Sequence, residues 1–378
     1  MNIVIAIDSF KGSLTSLDAG MAAAEGIVRA IPDAKISVRP IADGGEGTVE
    51  ALCLGLGGIK MAIDVTGPLG EKVKAEYGLI PKTKTAIIEM SAASGITLVS
   101  DDKRNPLNTT SYGVGELIAD AIKRGCRSFI IGIGGSATND GGIGMLQALG
   151  FDILDKDGKN VSFGAKGLEE IKTISTENVI PELSECSFSI ACDVTNPLCG
   201  ENGCSVVFGP QKGADEAEIS NMDKWLSDYA DLTKTIFPNA DKNAKGAGAA
   251  GGLGFAFMTF LNGQLKGGID LILRETRLEE YIKTADIVVT GEGRLDSQTV
   301  MGKAPSGVAS IAKKYGKKVI AFSGCVTKDA HICNEHGIDA YFPIVRGACS
   351  LEEAMNPDNA FENMSDTAEQ VFRLFSLT

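Results

Sequence analysis

Short apolar runs rich in β-branched residues alternate with helical segments along nearly the whole chain. The candidate strands cover residues 3–7, 36–41, 86–90, 128–133, 188–192, 287–290, 318–323 and 340–343. The run at 3–7 and three later ones are apolar almost throughout, which is typical of parallel strands covered on both faces. The clearest helical patterns lie at residues 17–30, 112–124, 143–149 and 306–315. This order of elements predicts an α/β architecture with parallel strands.

The middle of the chain has a different pattern and predicts a second domain. Residues 61–80 alternate apolar and polar side chains around a Gly-Pro turn, which indicates an antiparallel hairpin. Residues 215–238 predict an amphipathic helix with Trp225 on its apolar side. We therefore expect a doubly wound domain with a parallel sheet, interrupted by an inserted α/β domain with a mixed sheet. The expected bounds are 1–60 plus 285–378 for the first domain and 61–284 for the inserted one, with 128–150 fitting either.

Charge and composition exclude several classes of protein. Asp and Glu number 49 against 36 Lys and Arg, so the formal net charge is −13, which argues against a nucleic-acid or anionic-membrane surface. The first ten residues lack a basic segment and the apolar stretch 246–261 is short and glycine-rich, so we expect neither a secretory signal nor a membrane span. Nine cysteines without a C-x-x-C pair fit reduced thiols in the cytoplasm.

Glycine accounts for 46 of the 378 residues, well above the average of about 7%, and many glycines follow candidate strands. In open α/β sheets, ligands bind beyond the carboxyl ends of the strands, where backbone amides and helix N-termini hold anions. The first cluster, at residues 8–13, places a lysine beside a glycine. It suits a phosphate or carboxylate ligand, and equally a helix cap with a solvated lysine. The second, at 43–48, suits a cation, a substrate hydroxyl or a plain loop.

Two glycine clusters partly match a dinucleotide fingerprint. Residues 132–137 read G-x-G-x-x-A, and Asp155 lies 18 residues after Ala137. Asp140 argues against a pyrophosphate there, because its carboxylate would repel the anion unless a cation lay between them. Residues 246–254 contain G-x-G-x-x-G but follow no strand. They fit a glycine-rich helix entry that a ligand approaches, or tight helix packing.

Charged side chains gather at three further turns. Residues 290–296 end a candidate strand with two carboxylates and an arginine, and a lysine follows at 303. Neither a Walker A motif nor a protein-kinase signature is present. Turns at Asp193 and Lys212 add a carboxylate and a cation. Acids, cations and glycines at so many turns suit phosphoryl transfer, which needs in-line positioning, a divalent cation and positive side chains. An NAD-dependent oxidoreductase of a small hydroxy acid and a non-catalytic binding protein stay open as alternatives.

Seven ordered motifs make the chain resemble the bacterial type I glycerate kinase family over essentially its whole length. They lie at residues 8–12, 43–47, 134–142, 193–198, 209–214, 246–254 and 291–296. The resemblance implies phosphorylation of D-glycerate at its 2-hydroxyl by ATP with Mg²⁺, giving 2-phosphoglycerate and ADP. It also implies two α/β domains, one flavodoxin- or Rossmann-like, with the active site in the cleft between them. Ile7 and residues 346–350 depart from the family pattern, and a homo-oligomer is left open.

Roles in catalysis follow as hypotheses from the chemistry of these turns. Asp193 or Asp296 acts as the base toward the glycerate hydroxyl. Lys11 and Arg294 hold the substrate carboxylate or the transferring phosphoryl group. The carboxylates assigned to Mg²⁺, directly or through water, are Asp43 and Asp140.

Binding roles are assigned to the remaining polar groups and glycines of the same turns. Backbone amides of the two glycine clusters in the inserted domain are expected to cradle the nucleotide phosphates. The residues expected to bind substrate or nucleotide are Ser9, Gly12, Gly134, Gly135, Ser136, Asn139, Lys212, Gly248, Gly251, Gly252, Glu292 and Lys303.

Overall fold

The structure is a computed structural model that describes residues 1–377, within which it contains thirteen strands and fifteen α-helices. The strands are β1 (Asn2–Ile7), β2 (Lys35–Val38), β3 (Ile59–Thr66), β4 (Lys72–Ile80), β5 (Thr85–Glu89), β6 (Ser128–Gly132), β7 (Asp152–Leu154), β8 (Thr173–Ser175), β9 (Ser187–Ala191), β10 (Gln264–Lys266), β11 (Ile287–Leu295), β12 (Lys318–Val326) and β13 (Ala340–Pro343). The helices are α1 (Ser16–Ala30), α2 (Thr48–Leu56), α3 (Ser91–Ser94), α4 (Tyr112–Lys123), α5 (Ile143–Ala148), α6 (Lys166–Glu170), α7 (Cys204–Phe208), α8 (Glu216–Ile236), α9 (Leu253–Phe260), α10 (Gly268–Glu275), α11 (Leu278–Thr284), α12 (Ala304–Lys314), α13 (Ile332–Glu335), α14 (Leu351–Met355) and α15 (Pro357–Arg373).

Contacts between α-carbons divide the chain into two compact units. Unit 1 contains Met1–Asp43, Glu50–Gly57 and the chain from Ile269 onward, and unit 2 contains Gly44–Val49 and Gly58–Gly268. Residues 128–150, which fitted either domain in the sequence, lie in unit 2. The second boundary lies after Gly268 and not near 285, because α11 contacts β1 and α12 of unit 1.

Unit 1 is built on a five-stranded sheet in the order β13-β12-β11-β1-β2, and all its neighbouring strands are parallel. Counted in chain order, this is the arrangement 2-1-3-4-5 of flavodoxin-like sheets. The order reverses between β1 and β11, so the loops that follow these two strands diverge. This switch point is where open α/β sheets bind ligands.

Close helix packing closes one face of the unit 1 sheet. The α1 face that contains Ala19, Ala23 and Ile27 is buried with Met364 and Phe372 of α15 in the apolar core. Gly26 lets the backbones of α1 and α15 lie this close together, since a Cβ at this position would lie 1.9 Å from the backbone oxygen of Ser365. The glycine in the middle of α1 is therefore a packing requirement.

Unit 2 contains a six-stranded mixed sheet in the order β10-β9-β6-β5-β4-β3. β3 and β4 form the predicted antiparallel hairpin, whereas β5, β6, β9 and β10 run parallel. Helix α8 begins at a capping box of Asp215 and Glu218, and its Trp225 packs against the core as predicted. A small antiparallel pair, β7 and β8, lies outside this sheet.

The predicted fold class is confirmed, with one parallel and one mixed sheet. Most predicted strands agree with the structure to within a few residues, but the strand expected at 36–41 ends at Val38. Pro40 explains the early end, because proline has no N–H to donate to a neighbouring strand. The short strands β7, β8 and β10 were not predicted, since three residues are too few to show an alternating pattern.

Candidate active site

A cavity of about 840 Å³ lies at the carboxyl edge of the unit 1 sheet. The turn after β1, the end of β11, the end of β12 and the segment after β13 all contribute to its wall. The charged side chains that line it are Asp8, Lys11, Asp43, Glu292, Arg294 and Lys303. The cavity therefore occupies the switch point of the sheet, and its volume is in the range of small-molecule sites.

The turn after β1 is held in shape by its own backbone. Phe10 and Leu14 form an antiparallel bridge, in which the Phe10 N–H donates to the Leu14 carbonyl at 2.8 Å. Gly12, with φ of 77°, allows the chain to reverse. The Ser9 N–H donates to one carboxylate oxygen of Asp8 at 2.7 Å. The turn thus fixes Asp8 at the floor of the cavity while Lys11 remains largely exposed.

Asp8 is the most perturbed carboxyl group of the cavity. It is only 5% exposed, and burial, followed by repulsion from Asp43, raises its pKa to about 7. The Ser9 N–H and Lys11 oppose this shift without cancelling it. A carboxyl group whose pKa lies near neutrality can accept a proton at physiological pH, as a general base does.

A second charged group links the end of β11 with the start of α12. Glu292 is buried and accepts a hydrogen bond from the Thr299 hydroxyl at 2.6 Å, and Lys303 lies 3.5 Å from its other oxygen. Burial raises the pKa of Glu292, whereas Thr299 and Lys303 oppose the rise. Asp296 lies 3.3 Å from Arg294 and 3.9 Å from Lys303. The two carboxylates therefore orient Arg294 and Lys303, which are two of the three cations that line the cavity.

Lys11 and Asp43 form a looser pair at the cavity. Their charged atoms are 4.0 Å apart, and the Lys11 side chain is 64% exposed. A contact this exposed leaves the lysine ammonium able to exchange Asp43 for a phosphate or carboxylate ligand. This agrees with an anion-binding role for Lys11.

Unit 2 contains a separate polar cluster at the loop that follows β6. Gly134 and Gly135, at its tip, are exposed. Beneath them lies Lys212, 3% exposed, whose ammonium donates to the Ser136 hydroxyl at 2.9 Å and to the Thr138 carbonyl at 2.6 Å. Burial lowers the pKa of Lys212 to about 8. The lysine thus anchors the loop from below.

Asp140 is fully buried and holds the same loop to helices α4 and α5. Its two oxygens accept hydrogen bonds from the backbone and hydroxyl of Ser111 and from the N–H groups of Gly142 and Gly144. Burial raises the pKa of Asp140, and these bonds oppose the rise. With its oxygens enclosed by protein donors, Asp140 has a structural geometry and not that of a metal ligand.

Asn139 is enclosed in the core beside Asp140. Its amide nitrogen donates to the Ser205 hydroxyl at 2.9 Å, while its oxygen is buried without a hydrogen-bond partner. Asn139 therefore connects the β6 loop to helix α7.

Two glycines of the cluster at 246–254 pack closely against the backbone of the β6 loop. A Cβ on Gly251 would lie 2.1 Å from the Thr138 carbonyl oxygen, and one on Gly252 would lie 2.7 Å from the Gly141 Cα. The Gly248 N–H already donates to the Asn196 carbonyl at 3.0 Å. A nucleotide-binding role for these three glycines stays a prediction, and the geometry favours the packing alternative.

The two candidate bases have different surroundings. Asp193, after β9 in unit 2, is exposed, and one of its oxygens accepts a hydrogen bond from the Gly268 N–H at 2.8 Å. Asp296 of unit 1 is paired with two cations, as described above, and does not line the cavity. Neither carboxyl group is as deeply buried as that of Asp8, and neither lines the cavity.

Unit 1 brings together six of the predicted site residues, which line the same cavity: Ser9, Lys11, Asp43, Glu292, Arg294 and Lys303. Gly12 and Asp296 lie in the same turns without lining it. Sequence analysis assigned no role to Asp8 or Thr299. The position of Asp8, directly after the apolar run 3–7 of β1, is the signal that marks it.

In the described residues, no group of three or more His, Cys, Asp and Glu side chains is placed to enclose a metal ion. Mg²⁺ in phosphoryl-transfer sites does not require one, because it is bound through one or two carboxylates together with substrate phosphates and water. Among residues 1–377, no helix is both long and apolar enough to cross a membrane.

Comparisons with known proteins agree over the full chain. The sequence model of the Glycerate kinase family matches residues 3–376. A glycerate kinase of Haemophilus influenzae is 48% identical over 376 residues, which cover 100% of this chain and 99% of the relative. A glycerate 2-kinase of Escherichia coli K12 is 48% identical, covering 98% and 97% of the two chains. A crystal structure from Salmonella typhimurium LT2, described as a glycerate kinase 2, has a TM-score of 0.92 at 46% identity and covers 100% of this chain and 98% of its own. The chain therefore belongs to the glycerate kinase family and is a kinase, as its motifs predict.

Proposed function

We propose that the protein transfers the γ-phosphoryl group of ATP to the 2-hydroxyl of D-glycerate, giving 2-phosphoglycerate and ADP. The position of transfer is supported by the Escherichia coli relative, which is a glycerate 2-kinase with 48% identity over nearly the whole chain. The observation that carries the chemistry is the unit 1 cavity, in which a buried carboxyl group lies among three cations.

Asp8 is the general base of this proposal, in place of Asp193 or Asp296. The accepting hydroxyl must lose its proton as the new bond to phosphorus forms, and a carboxylate near it can take that proton. The Ser9 N–H holds one carboxylate oxygen of Asp8, and we place the substrate hydroxyl at the other oxygen. Asp296 is already paired with Arg294 and Lys303, so its oxygens are occupied by other partners.

The cations of the cavity hold the substrate anions. Lys11, exposed and loosely paired, is placed on the transferring phosphoryl group or the glycerate carboxylate. Arg294 and Lys303 are oriented by Asp296 and Glu292 and are placed on the remaining phosphate oxygens. Fixed positive charges stabilise the charge that develops during transfer, and this is the main source of catalysis in phosphoryl transfer.

Mg²⁺ enters this proposal together with ATP. Three carboxyl groups, Asp8, Asp43 and Glu292, line the same cavity, and repulsion by Asp43 contributes to the raised pKa of Asp8. A divalent cation beside Asp43 would relieve this repulsion between neighbouring carboxyl groups, so the residues present fit the ion. Asp43, on the cavity wall, would hold it. When bound, Mg²⁺ neutralises charge on the β- and γ-phosphates.

We assign to the β6 loop of unit 2 the binding of a second anionic group, in addition to those bound in the unit 1 cavity. Gly134 and Gly135 are exposed beyond the carboxyl end of a parallel strand, where free backbone amides bind phosphate or carboxylate groups. Lys212 supports them from below through Ser136 and Thr138. In this position Lys212 is a positioning residue.

The test is a coupled assay of ADP release with D-glycerate and MgATP, followed by ³¹P and ¹H NMR of the product. We expect stoichiometric ADP and a phosphate ester at carbon 2. L-glycerate and glycerol, which differ in configuration or lack the carboxylate, serve as matched control substrates. A product phosphorylated at carbon 3, or ATP turnover independent of D-glycerate, would contradict the proposal.

The choice of base is tested separately with Asp8→Asn, Asp193→Asn and Asp296→Asn. We expect the first substitution to abolish most turnover and the second to retain it, because Asp193 is exposed and already bonded to the Gly268 N–H. Loss of kcat in Asp193→Asn together with normal kcat in Asp8→Asn would transfer the role to Asp193.

A further inference from the structure

The unit 1 cavity has two chemically different halves. Its charged half, defined above by six side chains, lies at the ends of β1 and β11. Its apolar half is formed by the end of β12, the segment after β13 and the start of α14, and consists of Val326, Ile344, Val345, Ala348 and Leu351. Because β11, β12 and β13 are neighbours in the sheet, the two halves follow each other along one edge.

We infer that the apolar half binds the nucleoside of the phosphoryl donor, with its phosphates directed into the charged half. This inference rests on the proposed kinase function and names the part of the substrate that each half takes. Glycerate has no apolar surface that would need such a wall. A nucleoside triphosphate combines a flat, weakly polar ring system with a strongly anionic chain, and the cavity shows the same division. Ligand sites of this size are mostly apolar with a few placed polar groups.

The segment 345–349, at the rim of the apolar half, offers hydrogen-bonding groups for a nucleobase. In the described residues, the backbone N–H and C=O groups of residues 345–349 form no hydrogen bonds with other backbone groups. Unpaired backbone groups that face a ligand are the usual means of fixing its orientation. A purine carries donors and acceptors along its edge that such groups can match.

The segment is nevertheless held in place from both sides. Arg346 donates to Asn363 Oδ1 at 2.9 Å and pairs with Asp366, both on α15, and does not line the cavity. Ser350 and Glu353 form the capping box of α14. The positive charge of Arg346, which departs from the family pattern, is therefore neutralised outside the cavity. The wall facing the ligand stays apolar.

The first test measures whether a bound ligand protects the Cys349 thiol from alkylation. Cys325 and Cys349 are the two exposed cysteines of the described residues, and both line the cavity. N-ethylmaleimide alkylation of Cys349 is followed by peptide mass spectrometry in the unmodified enzyme. Adenosine and ADP, at about ten times their Kd, are expected to slow it about tenfold, because about a tenth of the sites stay free. Tripolyphosphate and D-glycerate, which lack a nucleoside, are expected to leave it unchanged.

The second test fills the apolar half. Ala348→Trp places a large side chain at an exposed position of the wall. We expect the Kd of ADP and the KM of ATP to rise about tenfold or more while the KM of D-glycerate is unchanged. Glu352→Trp is the matched control, because Glu352 is exposed on α14 but does not line the cavity. Both variants should share the wild-type unfolding midpoint.

The outcomes separate this inference from the proposed function. If ADP binds by calorimetry but neither protects Cys349 nor is affected by Ala348→Trp, the nucleoside lies elsewhere and the inference is wrong. Equal protection by tripolyphosphate would also overturn it, since phosphates alone would then fill this half. Protection by ADP without any phosphorylation of D-glycerate would instead refute the proposed function and leave the nucleoside site in place.

Discussion

Replacing Asp8 by asparagine is expected to stop catalysis and, at the same time, to stabilise the fold. Burial and the neighbouring Asp43 raise the pKa of Asp8 from 3.8 to about 7. An acid whose pKa is raised by folding destabilises the folded state once it ionises. The difference of about three pKa units corresponds to roughly 4 kcal/mol.

The sign of this effect fixes its pH dependence. Below about pH 4 the carboxyl group is protonated in both states, so the penalty is absent. It grows as the pH rises and is complete above about pH 7. Asparagine has nearly the same shape without the charge. Asp8→Asn should therefore gain about 2–4 kcal/mol in the free energy of unfolding at about pH 8 and almost nothing at about pH 4.

The assays are guanidinium unfolding across this pH range in EDTA, and steady-state kinetics of ADP release. Loss of a general base should lower kcat about 10²–10⁴-fold. The pH dependence of kcat/KM reports the ionisation of essential groups in the free enzyme. In the wild type, kcat/KM should therefore fall about tenfold per pH unit below about pH 7, because protonated Asp8 cannot accept a proton. The residual kcat/KM of the Asp8→Asn variant should not show this fall at low pH.

Asp296→Asn is the control for stability. It removes a carboxylate that is paired with Arg294 and Lys303, so no stabilisation is expected. The reasoning is refuted if Asp8→Asn keeps kcat within about threefold of the wild type, or if its gain in stability does not depend on pH.

Three further substitutions test other parts of the two units. Lys11→Ala should lose about 2–4 kcal/mol of transition-state stabilisation, and an unchanged kcat/KM would remove Lys11 from the site. Asp140→Asn should lower the free energy of unfolding by about 1–3 kcal/mol, because the carboxylate accepts from three buried N–H groups and a hydroxyl, and an amide leaves at least one of these donors without its acceptor; urea unfolding measures this, and wild-type stability would show that the carboxylate has no structural role. Gly251→Ala places a Cβ 2.1 Å from a backbone oxygen at a φ of 66°, so it should be destabilised by more than the about 1–2 kcal/mol of a left-handed backbone alone. Gly158→Ala, with φ of 74° and no atom within 4 Å, is its control, and equal thermal shifts for both would contradict the packing role of Gly251.

The motifs around unit 1 were predictable because strand patterns are local. The apolar run before Asp8 marked the end of β1, whereas the run at 287–290 marked β11 but not its end, since that strand continues through Glu292 to Leu295. Parallel strands align their carboxyl ends at one edge of the sheet. Lys11 and Lys303, both assigned to the site from the sequence, line one cavity. The role of Asp8 did not follow, because its pKa depends on burial and on Asp43, neither of which is visible in a local pattern.

The glycine clusters of unit 2 show the opposite case. Their sequence predicted a close approach of the backbone to another group. It did not say which group, because glycine is needed both where a backbone approaches a phosphate and where it approaches another loop. Only the structure shows Gly251 against Thr138 and Gly252 against Gly141. In the same way, the sequence predicted that the Asp140 carboxylate binds a metal ion. In the fold, its oxygens accept hydrogen bonds from protein donors.

By itself, the sequence determined the α/β class, the family, and the set of turns from which the site is built, since periodicity and ordered motifs are properties of neighbouring residues. The tertiary structure decided which turns share a cavity and which carboxyl groups lose contact with water. Those outcomes depend on the strand order β13-β12-β11-β1-β2, which joins segments from the two ends of the chain. Desolvation and charge proximity, which set the chemistry of Asp8 and Lys212, arise only when distant segments pack together.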